Sequence, residues 1–179
     1  MKKYIKYQEQ KLEMKLNIEQ TILGNLITNE KYMRKVLPFI KPDYFEGVYK
    51  TIFKEAGKYV AKYNKLPTEA TFGIELQQSE KLTQEQLTRA SEVLPNLFSA
   101  TDVDNQWLVD STEKWCQDRA LYNAVMESIS IIDGKHETLS KGALPEILSK
   151  ALGVAFDTNV GHDYVENAEE RYEFYHQEE

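Results

Sequence analysis

Apolar positions recur three and four residues apart along almost the whole chain, the period of helices with one buried face, and no segment alternates as a strand would. Leu16, Ile22, Leu23, Leu26 and Ile27 predict a first amphipathic helix, with Asn17 and Thr28 near its ends and a lysine-rich start, Met1 to Lys15, before it. A short helix over Tyr32 to Phe39 is expected to stop at Pro38 and Pro42. Asp43 and Glu46 have the spacing of a DxxE capping box ahead of Val48, Tyr49, Ile52, Phe53, Ala56, Tyr59, Val60 and Tyr63, which share a helical face. Pro67 and Thr68 open a further helix toward Leu76. Thr83 with Gln86 caps the next, which carries Leu87, Ala90, Val93, Leu94 and Leu97.

After Ser99 the texture changes. No Gly or Pro interrupts the chain between Pro95 and Gly134, and Leu108, Trp115, Tyr122 and Ile129 repeat in heptads, with Val125 and Ile132 in the second seam position. This predicts a long helix that lies along another. Gly134 to Thr138 supplies the turn, and Leu144, Ile147, Leu148, Ala151 and Ala155 form a returning stripe, so residues 104 to 155 read as an antiparallel helical hairpin. Ser111 and Asp118 interrupt the second seam, as a solvated edge would.

Charge singles out the C-terminal segment. The net charge of −7 belongs entirely to Asp157 to Glu179, where eight acids face the single base Arg171. Asp163 and Glu166 again have capping-box spacing, predicting a helix from near Tyr164 with Tyr164, Val165, Ala168, Tyr172 and Tyr175 on one face. A helix this short is marginal by itself in water, so that face needs a partner. Glu178 and Glu179 stand where the helix dipole favours bases, and no Gly or Pro closes the segment, which suggests a longer natural chain or a frayed end.

The chemistry of enzymes is missing. There is no GxxxxGK[ST] loop to cradle phosphates. His136, His162 and His176 are too scattered for a zinc site, and His162 beside Asp163 reads as a neighbour of a helix cap. Cys116 is the only cysteine and sits in the long helix as a packed small side chain. The paired acids Glu169 and Glu170 read as a solvated stretch. No run is apolar enough for a signal peptide or a membrane span, so a soluble cytoplasmic protein without membrane contact is expected. The acidic pI near 5.1 argues against a dedicated nucleic-acid surface, although the charge-balanced body leaves room for a local basic patch.

Two stretches carry a family resemblance. Glu19, Gln20, Ile22, Leu23, Gly24 and Leu26, then Pro42, Asp43, Phe45, Ile52 and Phe53, resemble the opening of the N-terminal domain of DnaB-type replicative helicases: EQxxLGxLL, a DxF turn and an IF helix. WLVDSTEKWCQDRALYNA, Trp107 to Ala124, is similar to the helicases of T4-type phages, as are Ala155, Phe156, Asp157, Val160, Gly161, His162 and Asp163. The resemblance extends over nearly the whole chain except its opening residues.

What the resemblance implies is an all-α protein with a basic extension over 1–15, a helical head of about five or six helices over 16–100, a hairpin over 101–155 and a linker helix over 156–179. The linker helix would lead to an ATPase domain missing from this sequence, as in a piece of a longer chain or a split gene product. By the same resemblance the chain is a non-catalytic collar domain of a hexameric helicase, and ATP, Mg and the 5′-3′ helicase activity belong to the full-length protein. Head and hairpin would mediate subunit assembly and dock primase and helicase loader, with DNA met through the full ring. Leu108, Trp115, Tyr122, Val125, Ile129, Leu144, Ile147 and Leu148 would serve hairpin packing and assembly. Tyr164, Val165, Ala168, Tyr172 and Tyr175 would bind the next subunit's motor. Two other readings remain open: the helicase-binding domain at the C-terminus of primases, which resembles the same head and hairpin, and a single-stranded nucleic-acid adaptor using Lys2, Lys3, Lys6 and Lys11.

Overall fold

The computed structural model describes residues 18–99 and 103–156, and among these every regular element is a helix. The first, α1, runs over residues 18–28. It is followed by α2 (Glu30–Val36), α3 (Gly47–Tyr63), α4 (Glu69–Gln78), α5 (Gln84–Phe98), α6 (Asn105–Ile132) and α7 (Leu144–Leu152), with short 3-10 turns at Leu37–Phe39, Pro42–Tyr44 and Lys141–Ala143. The all-α class expected from the periodicity is what forms. None of these helices is long and apolar enough to cross a membrane.

Local chemistry explains most boundaries. Thr68 and Thr83 each accept a hydrogen bond from the N–H three residues on, from Thr71 and Gln86, whose side chains bond back to the cap. Asn29 and Asp104 cap α2 and α6 in the same way, accepting from the N–H groups of Tyr32 and Trp107. The end of α6 is a Schellman motif: Lys135 N–H bonds to Ser130 C=O and Gly134 N–H to Ile131 C=O. Gly134 takes φ +69° there, a conformation in which a Cβ is strained.

The DxxE box expected to open α3 does not form. Pro42–Tyr44 winds as a 3-10 turn, leaving Asp43 outside the helix and ion-paired with Lys50. Glu46 takes the cap position with extended backbone and no side-chain cap bond, and Gly47 makes the entry at φ +53°. The Glu46 N–H is satisfied by the carboxylate of Glu19, reaching over from α1 at 3.1 Å. A tertiary partner has thus replaced the local one.

Fully buried Ile22 and Leu23 of α1, Val36 of α2, Ile52 of α3, Phe72 of α4 and Leu97 of α5 build the core. The three helices α3, α4 and α5 pack on one another. The N-terminal half of α6 joins this same core through Leu108, Trp115 and Cys116. Beyond that point α6 meets α7, which returns along it.

Candidate protein interface on the hairpin

The 28 residues of α6 present three surfaces, two of them buried and the third on its C-terminal half. The first points at the head. Leu108, Thr112, Trp115 and Arg119 are spaced four, three and four apart and are all buried. Trp115 lies 4.8 Å from the Phe45 ring and meets Tyr44 edge-on at 6.1 Å. The Tyr32 hydroxyl is 2.6 Å from that of Thr112, which is itself 2.6 Å from the Leu108 carbonyl. Thr112 has one proton and gives it to Leu108, so Tyr32 donates to Thr112. Further along, Arg119 reaches Glu46 at 2.7 Å and the Asn123 amide donates to the Asp43 carbonyl at 2.8 Å.

The second face carries Cys116, Ala120, Ala124, Ser128 and Ile131, again buried, mostly with small side chains that let α7 approach. The chain leaving α7 runs back along this side. Gln117 donates to the Val154 carbonyl at 3.1 Å, Phe156 N–H donates to Glu113 at 2.8 Å, and the Phe156 ring stacks on Phe39 at 4.4 Å. Burial pushes the Cys116 thiol up to about 12, with Glu113 adding to the effect, so the group is held as the neutral thiol at neutral pH.

The third surface is the open one, although the Arg119 guanidinium lies over the Tyr122 ring at 5.1 Å. Leu121, Tyr122, Val125, Met126, Ile129 and Ile132 are each 40 to 55% exposed. They fall within an arc of about 140° on the C-terminal half of α6. Six large apolar side chains presented together amount to on the order of 500 Å² of accessible surface, near the upper end of what a monomer leaves open.

The heptad seam read from the sequence therefore divides. Leu108 and Trp115 are buried in the head, whereas Tyr122, Val125 and Ile129 lie on the open face. Rotation does not cause the split, since Tyr122 stands about 20° from Trp115 around the helix and Met126 is in line with Leu108; the head reaches α6 through Arg119 and Asn123, and the side chains farther along project past it. Leu144, Ile147 and Leu148 of α7 are half-buried. Leu121 and Met126 were not singled out by the heptad; they flank it, and an arc count would have included them. His136, read as no zinc ligand, organises the turn after α6 by accepting from the N–H groups of Thr138 and Leu139. No cluster of potential metal ligands occurs among the described residues. Tyr164, Val165, Ala168, Tyr172 and Tyr175 lie outside the described residues, as do Lys2, Lys3, Lys6 and Lys11.

Comparison with known proteins gives this geometry a family context. No family model matches the chain. Across 162 residues, 86% of the chain, it is 32% identical to a DnaB-like replicative helicase of Enterobacteria phage T4. The N-terminal domain of DnaB helicase from Mycobacterium tuberculosis superposes with a TM-score of 0.53, covering 76% of this chain and 94% of that one at 15% identity. The fold is that of a DnaB N-terminal domain. Both comparisons agree with the DnaB-type resemblance of the sequence. The chain spans 34% of the length of its T4 relative. On this DnaB-like fold, the long helix is the element that both completes the head and presents an open apolar face.

Proposed function

We propose that this chain is the collar domain of a DnaB-type replicative helicase of a phage, and that it assembles by pairing the open face of α6 with the same face of a second copy. The single observation that carries the reading is the apolar arc from Leu121 to Ile132, exposed on a fold shared with the DnaB N-terminal domain. Such a contact is isologous, the simplest way for identical surfaces to associate. Stable interfaces bury about 800 Å² per partner, so the arc supplies an apolar centre and the polar residues flanking it the rim.

In the assembled protein, the full-length chain forms a hexamer whose ATPase domains use ATP and Mg and meet DNA, while the collar also docks primase and helicase loader. Tyr164, Val165, Ala168, Tyr172 and Tyr175 bind the neighbouring motor in this scheme. Phe156, held by Phe39 and Glu113, sets the point from which that segment departs.

Cross-linking tests the pairing. The Ile129→Cys variant, treated with a bis-maleimide, should give covalent dimers that disappear when Val125→Asp is added, while buried Cys116 stays silent. An Ile129→Cys thiol that reacts fully with a monofunctional maleimide yet yields no dimer at high protein concentration would rule the pairing out.

A further inference from the structure

A groove on the head has a different chemistry. It lies between α3 and the connection from α4 to α5, encloses about 540 Å³, and is lined by Lys50, Lys54 and Lys58 of α3, Lys81 of the connection, and the polar Thr51 and Gln86. Glu55 is the one acid in its lining, against four lysines. Lys58 pairs with Glu55 and Lys50 with Asp43, whereas Lys54 and Lys81 make no ion pair with any described residue. The local field is positive despite the acidic chain. Asp43 is held below the usual carboxylate range by its hydrogen bond from Lys50, and the charges of Lys50, Lys54 and Lys41 act in the same direction.

Spacing matters as much as charge. Lys50, Lys54 and Lys58 recur every fourth residue, one step of about 6 Å along the helix axis, comparable to the separation of successive phosphates in an extended strand. The lining has no aromatic ring and one aliphatic side chain, Leu82. Peptide side chains would find little to bury there, and bases nothing to stack on. What the groove offers is a row of ammonium groups with hydroxyl and amide donors between them.

We propose that this groove binds the phosphodiester backbone of a single nucleic-acid strand without sequence preference. Four lysines meeting about four phosphates give a salt dependence of log K on log salt of about −2.8. This inference is independent of the pairing through α6, because the groove shares no lining residue with the apolar arc and its test reads nucleic-acid binding by the chain itself.

The experiment is fluorescence anisotropy of a labelled oligo(dT) with the full chain, titrated at several salt concentrations. Wild type should bind with the slope above, and Lys54→Gln/Lys58→Gln/Lys81→Gln should weaken binding about a hundredfold at low salt while flattening the slope to about −0.7. A control with the same charge change on the hairpin, Lys135→Gln/Lys141→Gln/Lys150→Gln, should stay within about twofold of wild type. Absence of binding by wild type, or equal losses in the two triple variants, would overturn the proposal. Zero-length carbodiimide cross-links from these lysines to Glu166 through Glu179, without oligonucleotide binding, would overturn it by showing an acidic peptide as the occupant.

Discussion

Replacing Thr112 by Val tests how the head holds the long helix. The substitution conserves shape at a position with no exposure and leaves the Tyr32 hydroxyl, in a residue 2% exposed, without its acceptor at 2.6 Å. A buried donor left unpaired costs about 1–3 kcal/mol. With a urea slope of about 2 kcal/mol per molar for a domain of this size, the unfolding midpoint should fall by about 1 M. Tyr32→Phe should cost less, about 1 kcal/mol, because Thr112 keeps its own bond to the Leu108 carbonyl. The double variant should then be no less stable than Thr112→Val alone, since the stranded hydroxyl is gone. Urea unfolding followed by tryptophan fluorescence reads this directly, Trp115 being packed against Phe45 in the same junction. A Thr112→Val cost below about 0.5 kcal/mol, or strictly additive single costs, would refute the donor assignment and the weight placed on this bond.

Three further outcomes are expected. Gly134→Ala meets no atom within 4 Å but must adopt φ +69°, so it should destabilise by about 1 kcal/mol through backbone strain alone, measurable as a lowered Tm. Thr83→Ala removes the acceptor for the Gln86 N–H and should cost about 1 kcal/mol by the same assay. In alkali, Cys116 and Tyr32 both keep their protons in the folded state after the unfolded chain has begun to lose them, because burial raises both values. Stability is therefore intact below pH 9 and falls from there toward about 12, by about 1.4 kcal/mol per pH unit for the thiol, with Tyr32 adding its share above pH 10. Cys116→Ala should flatten the decline between pH 9 and about 10, and an unchanged slope in urea titrations across that range would count against the thiol as its source.

Local chemistry was readable from residue types wherever its partners were near in sequence. The Thr68 and Thr83 caps and the Gly134 turn are of this kind, each decided within a few residues. Asp43 and Glu46 had equally good spacing, yet Glu19, 27 residues earlier, supplies the bond to Glu46 and the box gives way. Distance in sequence also hid the junction of head and hairpin, where Tyr32 meets Thr112 across 80 residues. The heptad pattern correctly marked a long helix with large apolar side chains but assumed a single partner along its length. The head contacts α6 through Arg119 and Asn123, and Tyr122, Val125 and Ile129 are exposed because the helix runs on past it: Met126, about five turns from Leu108 and on the same side, is exposed as well. The lysine groove was invisible for a similar reason, since Lys81 joins Lys50, Lys54 and Lys58 only after α4 folds back on α3.

Whether the open face of α6 mates with its own copy is decided most directly by sedimentation velocity over a range from low to high micromolar concentration. Wild type should shift from monomer to dimer or larger species, and Val125→Asp/Ile129→Asp should remain monomeric with an unchanged Tm, because both side chains are more than 40% exposed. A wild-type chain that stays monomeric throughout, or a double variant that assembles equally well, would contradict assembly through this face.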